Sequence, residues 1–288
     1  MTHRPARRLP PTTLVLGAIV SVQTGAAVAK TLFDEAGPAG TVLLRVGFAA
    51  LVLWLVWRPR PAAHARRDLR LAAVFGVTLA GMNLAFYEAL DRVPLGVAVT
   101  LEFVGPLGVA VAVSRRPLDL VWVALAAGGI VALADLGGGS VDAAGVALAL
   151  LAGCFWAAYI LVNERVGRSF PGGGGLALAM AVAAALLVPA GVADGGGALL
   201  DPRVLAIGAA VAMLSSAIPY SLELEALRRI PAGVFGVLMS LEPAVAALAG
   251  LAILGEVLGA REWAGIALVV AASAGAARGA RVSEPWEA

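Results

Sequence analysis

The chain has 288 residues, of which 60% are apolar and 14% charged, with a mean hydropathy of +0.91. Soluble domains carry roughly 25% charged residues, so this composition excludes an ordinary water-soluble fold and points to lipid as the solvent. The single cysteine, Cys154, excludes a disulfide framework and a thiolate metal cluster, while His3 and His64 both lie in basic stretches. The net charge of +2 and the pI near 9.1 do not indicate nucleic acid, because the positions of the basic residues account for them better.

A helix crosses the hydrocarbon core with about 20 apolar residues. Ten such stretches follow one another: Leu14 to Phe33, Gly40 to Trp57, Leu71 to Leu90, Leu95 to Val113, Leu120 to Leu136, Ala143 to Val162, Leu176 to Val192, Val204 to Leu224, Ala232 to Leu254 and Trp263 to Ala277. The expected fold class is therefore all-α, a polytopic membrane protein of ten transmembrane helices. The first stretch, ending in Ala27-Val28-Ala29, has some features of a cleavable signal. Its apolar run continues past Lys30 and contains Gln23, so it reads as a retained helix. With the N-terminus in the cytoplasm, sixteen of the 21 basic residues fall on inner segments and three, Arg92, Arg203 and Arg261, on outer loops. That bias predicts a multi-pass protein of the inner (plasma) membrane with both termini cytoplasmic and an outer loop at Gly37 to Gly40.

One pattern occurs twice at a constant offset of 137: Glu88, Arg92, Pro94, Gly96 and Pro106 recur as Glu225, Arg229, Pro231, Gly233 and Pro243. Two halves of five spans, residues 1–137 and 138–288, follow. Because five is odd, the second half enters the membrane inverted relative to the first, an arrangement used by carriers with a site between the halves. Glu88 with Arg92 and Glu225 with Arg229, each four apart at a helix end, suit local ion pairs rather than transport chemistry. Ala246 and Gly250 suit close helix contact.

The run SLEPAVAALAGLAILGE from Ser240 to Glu256, within ten spans arranged as two halves, resembles the drug/metabolite transporter superfamily and its EamA-type repeat. The longer strings PLGVAVTLEFVGPLGVAV from Pro94, SRRPLDLVWV from Ser114 and IPYSLELEALRRIPAGVFGVLMSLEPAVAAL from Ile218 look like its inner-membrane threonine/homoserine exporters. The resemblance implies export of small neutral amino acids, with no cofactor. Export of other metabolites or amphiphilic drugs is the alternative within transport, and a non-transporting membrane scaffold is the alternative outside it. An intramembrane enzyme would need a nucleophile with a base, or a metal set, and the apolar stretches hold no histidine and only Cys154. The partners expected are an amino acid and membrane lipid. A homodimer is compatible with this reading.

Ionisable groups deep in a bilayer are costly and face a cavity or a partner, which singles out Glu102 and Glu242, both near a proline. An amino acid needs acceptors for its ammonium and donors for its carboxylate. Lys30, which shares a helix face with Gln23, and Arg45 supply the opposite charge, although interfacial snorkelling for Lys30 and a helix-to-helix tie for Arg45 fit equally well. Asn83 with Tyr87, Ser216 with Tyr220, and Trp156 with Tyr159 form polar or aromatic stripes at helical spacing and complete the candidate lining. At the 137 offset Glu102 aligns with Met239 and Glu242 with Gly105, so the two acids are expected to differ in role. One would receive the substrate ammonium and the other exchange a proton.

Overall fold

The computed structural model describes residues 10–114, 118–134, 142–170, 172–227 and 229–280. Arg4, Arg7, Arg8, Arg115, Arg116, Arg228 and Arg281, which enter the charge bias, lie outside them, as does the expected end of the fifth span at Leu136.

Ten helical rods are present among the described residues: α1 (Pro11–Lys30), α2 (Phe33–Trp57), α3 (Arg66–Arg92), α4 (Leu95–Glu102 continued by Val104–Ser114), α5 (Asp119–Ala134), α6 (Ala143–Ser169), α7 (Gly174–Gly195), α8 (Pro202–Ala212, a π turn Met213–Ala217, and Ile218–Leu227), α9 (Ala232–Met239, Glu242–Ala249 and a π turn Gly250–Leu254) and α10 (Ala260–Ala280). The protein is all-helical and polytopic, and among the described residues seven helices are long and apolar enough on those grounds alone to cross a membrane. Apolar side chains such as Leu51, Leu55, Val56 and Leu120 point outward and remain more than half exposed, as they must where hydrocarbon is the solvent.

The second rod differs from the expected one. No loop occupies Gly37 to Gly40: helix resumes at Phe33 after Thr31 and Leu32, and the chain bends within α2 at Gly37, which has φ of +64°. Only glycine fits there, because positive φ suits it and the Asp194 carboxylate fills the space a Cβ would take. That carboxylate accepts the Ala39 N–H at 2.9 Å, a donor that the bend releases from the helix ladder.

Prolines set the other breaks. Pro106 cannot donate to the Glu102 carbonyl, and α4 is interrupted at Phe103; Pro243 cannot donate to the Met239 carbonyl, and α9 is interrupted at Ser240. The two breaks are 137 residues apart. In α8 the π turn Met213–Ala217 ends two residues before Pro219, whose missing N–H leaves the Ser215 carbonyl without its α-helical donor.

Most of the helix contacts are preserved when each rod is exchanged with the one five places along the chain; α4 with α10 and α2 with α3 have no counterpart of similar extent. The neighbours α3 and α6 exchange with α8 and α1, α3 and α7 with α8 and α2, and α4 and α6 with α9 and α1, while α2 with α7, α4 with α9 and α5 with α10 map onto themselves. Small residues allow the closest approaches. Gly105 on α4 has no room for a Cβ against the Gly153 carbonyl on α6, and a Cβ on Gly153 would lie 2.7 Å from the Glu102 carbonyl oxygen. Ala246 is fully buried, and Gly250 lies against Leu95, so this small-residue pair is used inside the bundle.

At the end of the bundle opposite Pro11 and Ala280, polar links join the two halves. Lys30 Nζ donates to Glu256 Oε1 at 2.8 Å and to the Val93 carbonyl at 3.0 Å, and Glu256 Oε2 accepts the Leu95 N–H at 2.8 Å. Arg203 pairs with Glu35 at 2.6 Å. The ion pairs Glu88–Arg92 and Glu164–Arg168 each lie within one helix, and Glu225 on α8 pairs with Arg229 just beyond its end; the spacing of the first and last predicts them.

Candidate functional site

A cavity of about 370 Å³ lies between the halves, lined by every rod except α5 and α10. Arg45, midway along α2, is its described cation. Its guanidinium donates to Asn83 Oδ1 at 2.8 Å, and Asn83 in turn donates its Nδ2 to the Leu79 carbonyl at 2.8 Å. The amide is thereby fixed with its oxygen toward Arg45. Tyr87 does not line the cavity; it is fully buried, with the centre of its ring 5.6 Å from the Arg45 guanidinium carbon, and supports the cation from one side. Phe33 and Phe86 pack on that ring at 5.8 and 6.2 Å. Two of the guanidinium's neighbours are thus committed to orienting it, and its remaining donors are available to an anionic group.

Three carboxylates share the space. Glu102, at the end of the first part of α4, and Glu242, at the start of the second part of α9, are both buried, and Glu223 on α8 is half-buried. Arg45 is within electrostatic reach of Glu102, and Glu242 within reach of both Glu223 and Glu102. The cavity therefore carries more acidic than basic groups in a low-dielectric setting, and this imbalance is relieved by an ammonium or by protons.

Gln23, Arg45, Asn83, Glu102, Trp156, Tyr159, Ser216 and Glu242 all line this one cavity, so eight of the eleven residues singled out from sequence are brought together. Trp156 meets Phe103 edge-on at 5.1 Å, and Tyr159 packs on Phe75 at 5.2 Å. Lys30 is elsewhere, engaged with Glu256 at the far end of the bundle. Tyr87 acts behind Arg45, and the side chain of Tyr220 lies outside the described residues.

Glu223 and Ser215 line the cavity and were not anticipated. Glu223 had a legible signal, since it lies seven residues, two helical turns, beyond Ser216 on the same face. Ser215 adjoins Ser216 within the π turn Met213–Ala217, and successive residues also reach the cavity from regular helix at Val22 with Gln23 and Arg45 with Val46. The duplication has also diverged for a visible reason. Met239, the counterpart of Glu102, does line the cavity, but Gly105, the counterpart of Glu242, is buried against Gly153 where no side chain fits.

Comparison with known proteins agrees with this architecture. The chain is 43% identical over 274 residues to the threonine/homoserine exporter RhtA of Escherichia coli (strain K12) and to that of Salmonella typhimurium (strain LT2), covering 93% of this chain and 92% of each relative. It is 27% identical over 240 residues to the uncharacterized transporter YwfM of Bacillus subtilis (strain 168), covering 80% of both. A crystal structure superposes with a TM-score of 0.62 over 93% of this chain and 96% of the other; at 18% identity this likeness concerns the fold alone. The sequence pattern of the EamA-like transporter family matches residues 143–278, the span from α6 into α10. With ten rods around a charged central cavity and identity of this extent to RhtA, the chain belongs to the EamA-like transporter family, and is a transporter rather than an enzyme.

Proposed function

We propose that this protein is a secondary exporter of small neutral amino acids of the threonine/homoserine kind, working by alternating access and driven by protons. The observation that carries the reading is the opposition of Arg45, held by Asn83, to Glu102, Glu242 and Glu223 within one cavity. A zwitterion satisfies both sides: its carboxylate meets the guanidinium and its ammonium meets an acid. We assign Glu102, which Arg45 reaches, to the ammonium, and Glu242, beside the further acid Glu223, to proton exchange. A volume of about 370 Å³ is at the small end of the ~300–1,000 Å³ typical of ligand pockets, which favours an amino acid over a large amphiphile. The named activity of RhtA, at 43% identity, supports the same substrate class.

The transport cycle rests on two inverted repeats, residues 1–137 and 138–288, related by an axis in the membrane plane. The exchange symmetry of helix packing and the equivalent breaks at Phe103 and Ser240 support this division. The inner membrane is the proposed location, with both termini cytoplasmic, as the basic-residue bias indicates. The decisive experiment uses purified protein in proteoliposomes. Labelled threonine, homoserine and a larger amphiphile are followed with and without an imposed pH gradient. Movement of the amino acids, accelerated by the gradient, is expected; movement of the amphiphile alone would overturn the substrate class, and no movement would leave a scaffold.

A further inference from the structure

We propose that four arginines at the Pro11 end of the bundle, two on α3 and two on α6, form a site for the phosphate headgroup of an anionic membrane lipid. Arg67 and Arg70 of α3 and Arg165 and Arg168 of α6 line one recess of about 560 Å³ between these neighbouring helices. The recess shares no lining residue with the central cavity, so the assignment is independent of the substrate.

The protein does not balance the charge it gathers there. Among the described residues Arg67 and Arg70 have no ion pair. Arg168 pairs with Glu164, and Arg165 donates to the Leu161 carbonyl at 3.1 Å, one turn back on the same helix, so each guanidinium keeps further donors. With Asp68, which also lines the recess, two acids stand beside four guanidinia. Spare positive charge and convergent planar donors suit a phosphate, which a guanidinium can meet with two parallel bonds.

Retention of basic residues in the cytoplasm requires only that arginines lie at this end of the bundle, and it gives them no reason to converge on one recess. Their place around each helix is the second observation. On α3 the exposed residues Arg67, Arg70, Val74 and Val77 follow one another at spacings of three and four, and on α6 exposed Leu151, Cys154, Leu161, Arg165 and Arg168 keep to one face in the same way. On both helices, therefore, the outward stripe is mostly apolar along the bundle and ends in two arginines one turn apart. Leu71 and Val74 complete the recess on its hydrocarbon side. A free phosphate has no use for that apolar continuation, whereas a lipid lays its acyl chains along Val74, Val77 and Leu161 while its phosphate rests among the guanidinia. Because one arginine pair stands on each helix, the bound lipid bridges α3 and α6 and stabilises their contact.

The test uses the full-length protein, delipidated in detergent, with phosphatidylglycerol binding read by native mass spectrometry and by the rise in Tm. Phosphatidylethanolamine and soluble glycerol phosphate are the comparison arms. The parent should bind phosphatidylglycerol about tenfold or more tightly than phosphatidylethanolamine, and glycerol phosphate should have no effect at the same concentration. The double variants Arg67→Gln/Arg70→Gln and Arg165→Gln/Arg168→Gln should each weaken phosphatidylglycerol binding about 10–30-fold. Arg58→Gln/Arg60→Gln removes the same charge outside the recess and should leave binding unchanged. All six arginines are exposed, so the substitutions spare the packed core, and monodispersity checks folding. A loss equal in all three variants would reveal attraction to a diffuse positive field and overturn the site, as would no loss in the recess variants. Equal binding of the two lipids by the parent, a comparison that needs no variant, would also overturn it. An equal effect of glycerol phosphate would make the recess a soluble-anion site and overturn the lipid assignment. Transport plays no part in these readouts, so failure here leaves the exporter reading intact, and failure of amino-acid transport leaves this site standing.

Discussion

Replacing Lys30 by Met breaks the link that joins the two halves at the end opposite Pro11 and Ala280. The ammonium gives up a 2.8 Å ion pair to Glu256 and a 3.0 Å bond to the Val93 carbonyl, and Glu256 keeps only the Leu95 N–H at 2.8 Å. Side-chain exposures of 21% and 15% place the pair between the surface regime, where such contacts contribute little, and the buried regime, where loss of one partner is severe. After discounting for solvent screening, the loss is about 1–2 kcal/mol, and since 1.4 kcal/mol is tenfold, the population in which this end is open should rise about 5–30-fold. The assay is the rate at which a membrane-impermeant maleimide modifies cavity-lining Val99→Cys in a Cys154→Ala background, with the reagent applied at the linked end. Lys30→Met and Glu256→Gln should each accelerate modification, and the double variant should add little to either because both remove the same contact. Equal rates in all four proteins would refute the reasoning, and would leave Lys30 as an anchor that never opens.

Arg45→Gln should abolish amino-acid binding measured by ligand-induced thermal stabilisation, whereas Asn83→Ala, which frees the guanidinium without removing it, should weaken binding about tenfold, the scale of one charge-assisted hydrogen bond. Glu102→Gln should remove efflux while preserving insertion, and Glu242→Gln should leave binding but make efflux indifferent to an imposed pH gradient; parental behaviour in both would remove the acids from the mechanism. Gly153→Ala places a methyl 2.7 Å from the Glu102 carbonyl oxygen and should cost about 1–3 kcal/mol, seen as a lowered Tm in detergent. For topology, an external reagent should modify Cys at exposed Asp34 but not at exposed Arg66; Gly37 is unsuitable for the label because its backbone requires glycine.

The membrane class, the number of rods and most of the cavity were legible in the one-dimensional record because lipid imposes a strict rule. Every polar group within a long apolar stretch has to be satisfied internally, so Glu102, Glu242, Arg45 and Asn83 identify themselves against an apolar background. Helix breaks at Pro106 and Pro243 were equally visible, since proline removes a donor wherever it stands. Lys30 shows the limit of that reasoning. Its charge marked it as significant, but the choice between substrate and Glu256 depended on where α9 ends in space, 226 residues away in the chain. Gly37 reads as a loop by composition, yet Asp194 of α7 takes up the released Ala39 N–H and lets helix continue on both sides. Only the packed bundle could decide that Tyr87 acts behind Arg45, that Gly105 has no room for the acid its counterpart carries, and that Ser215 reaches the cavity together with Ser216. Local composition determines which residues must be buried, because the cost of exposing or desolvating a group is a property of that group. Which buried residues share a cavity is a property of helix contacts between distant segments, and these were settled by the close approaches that glycine and alanine permit.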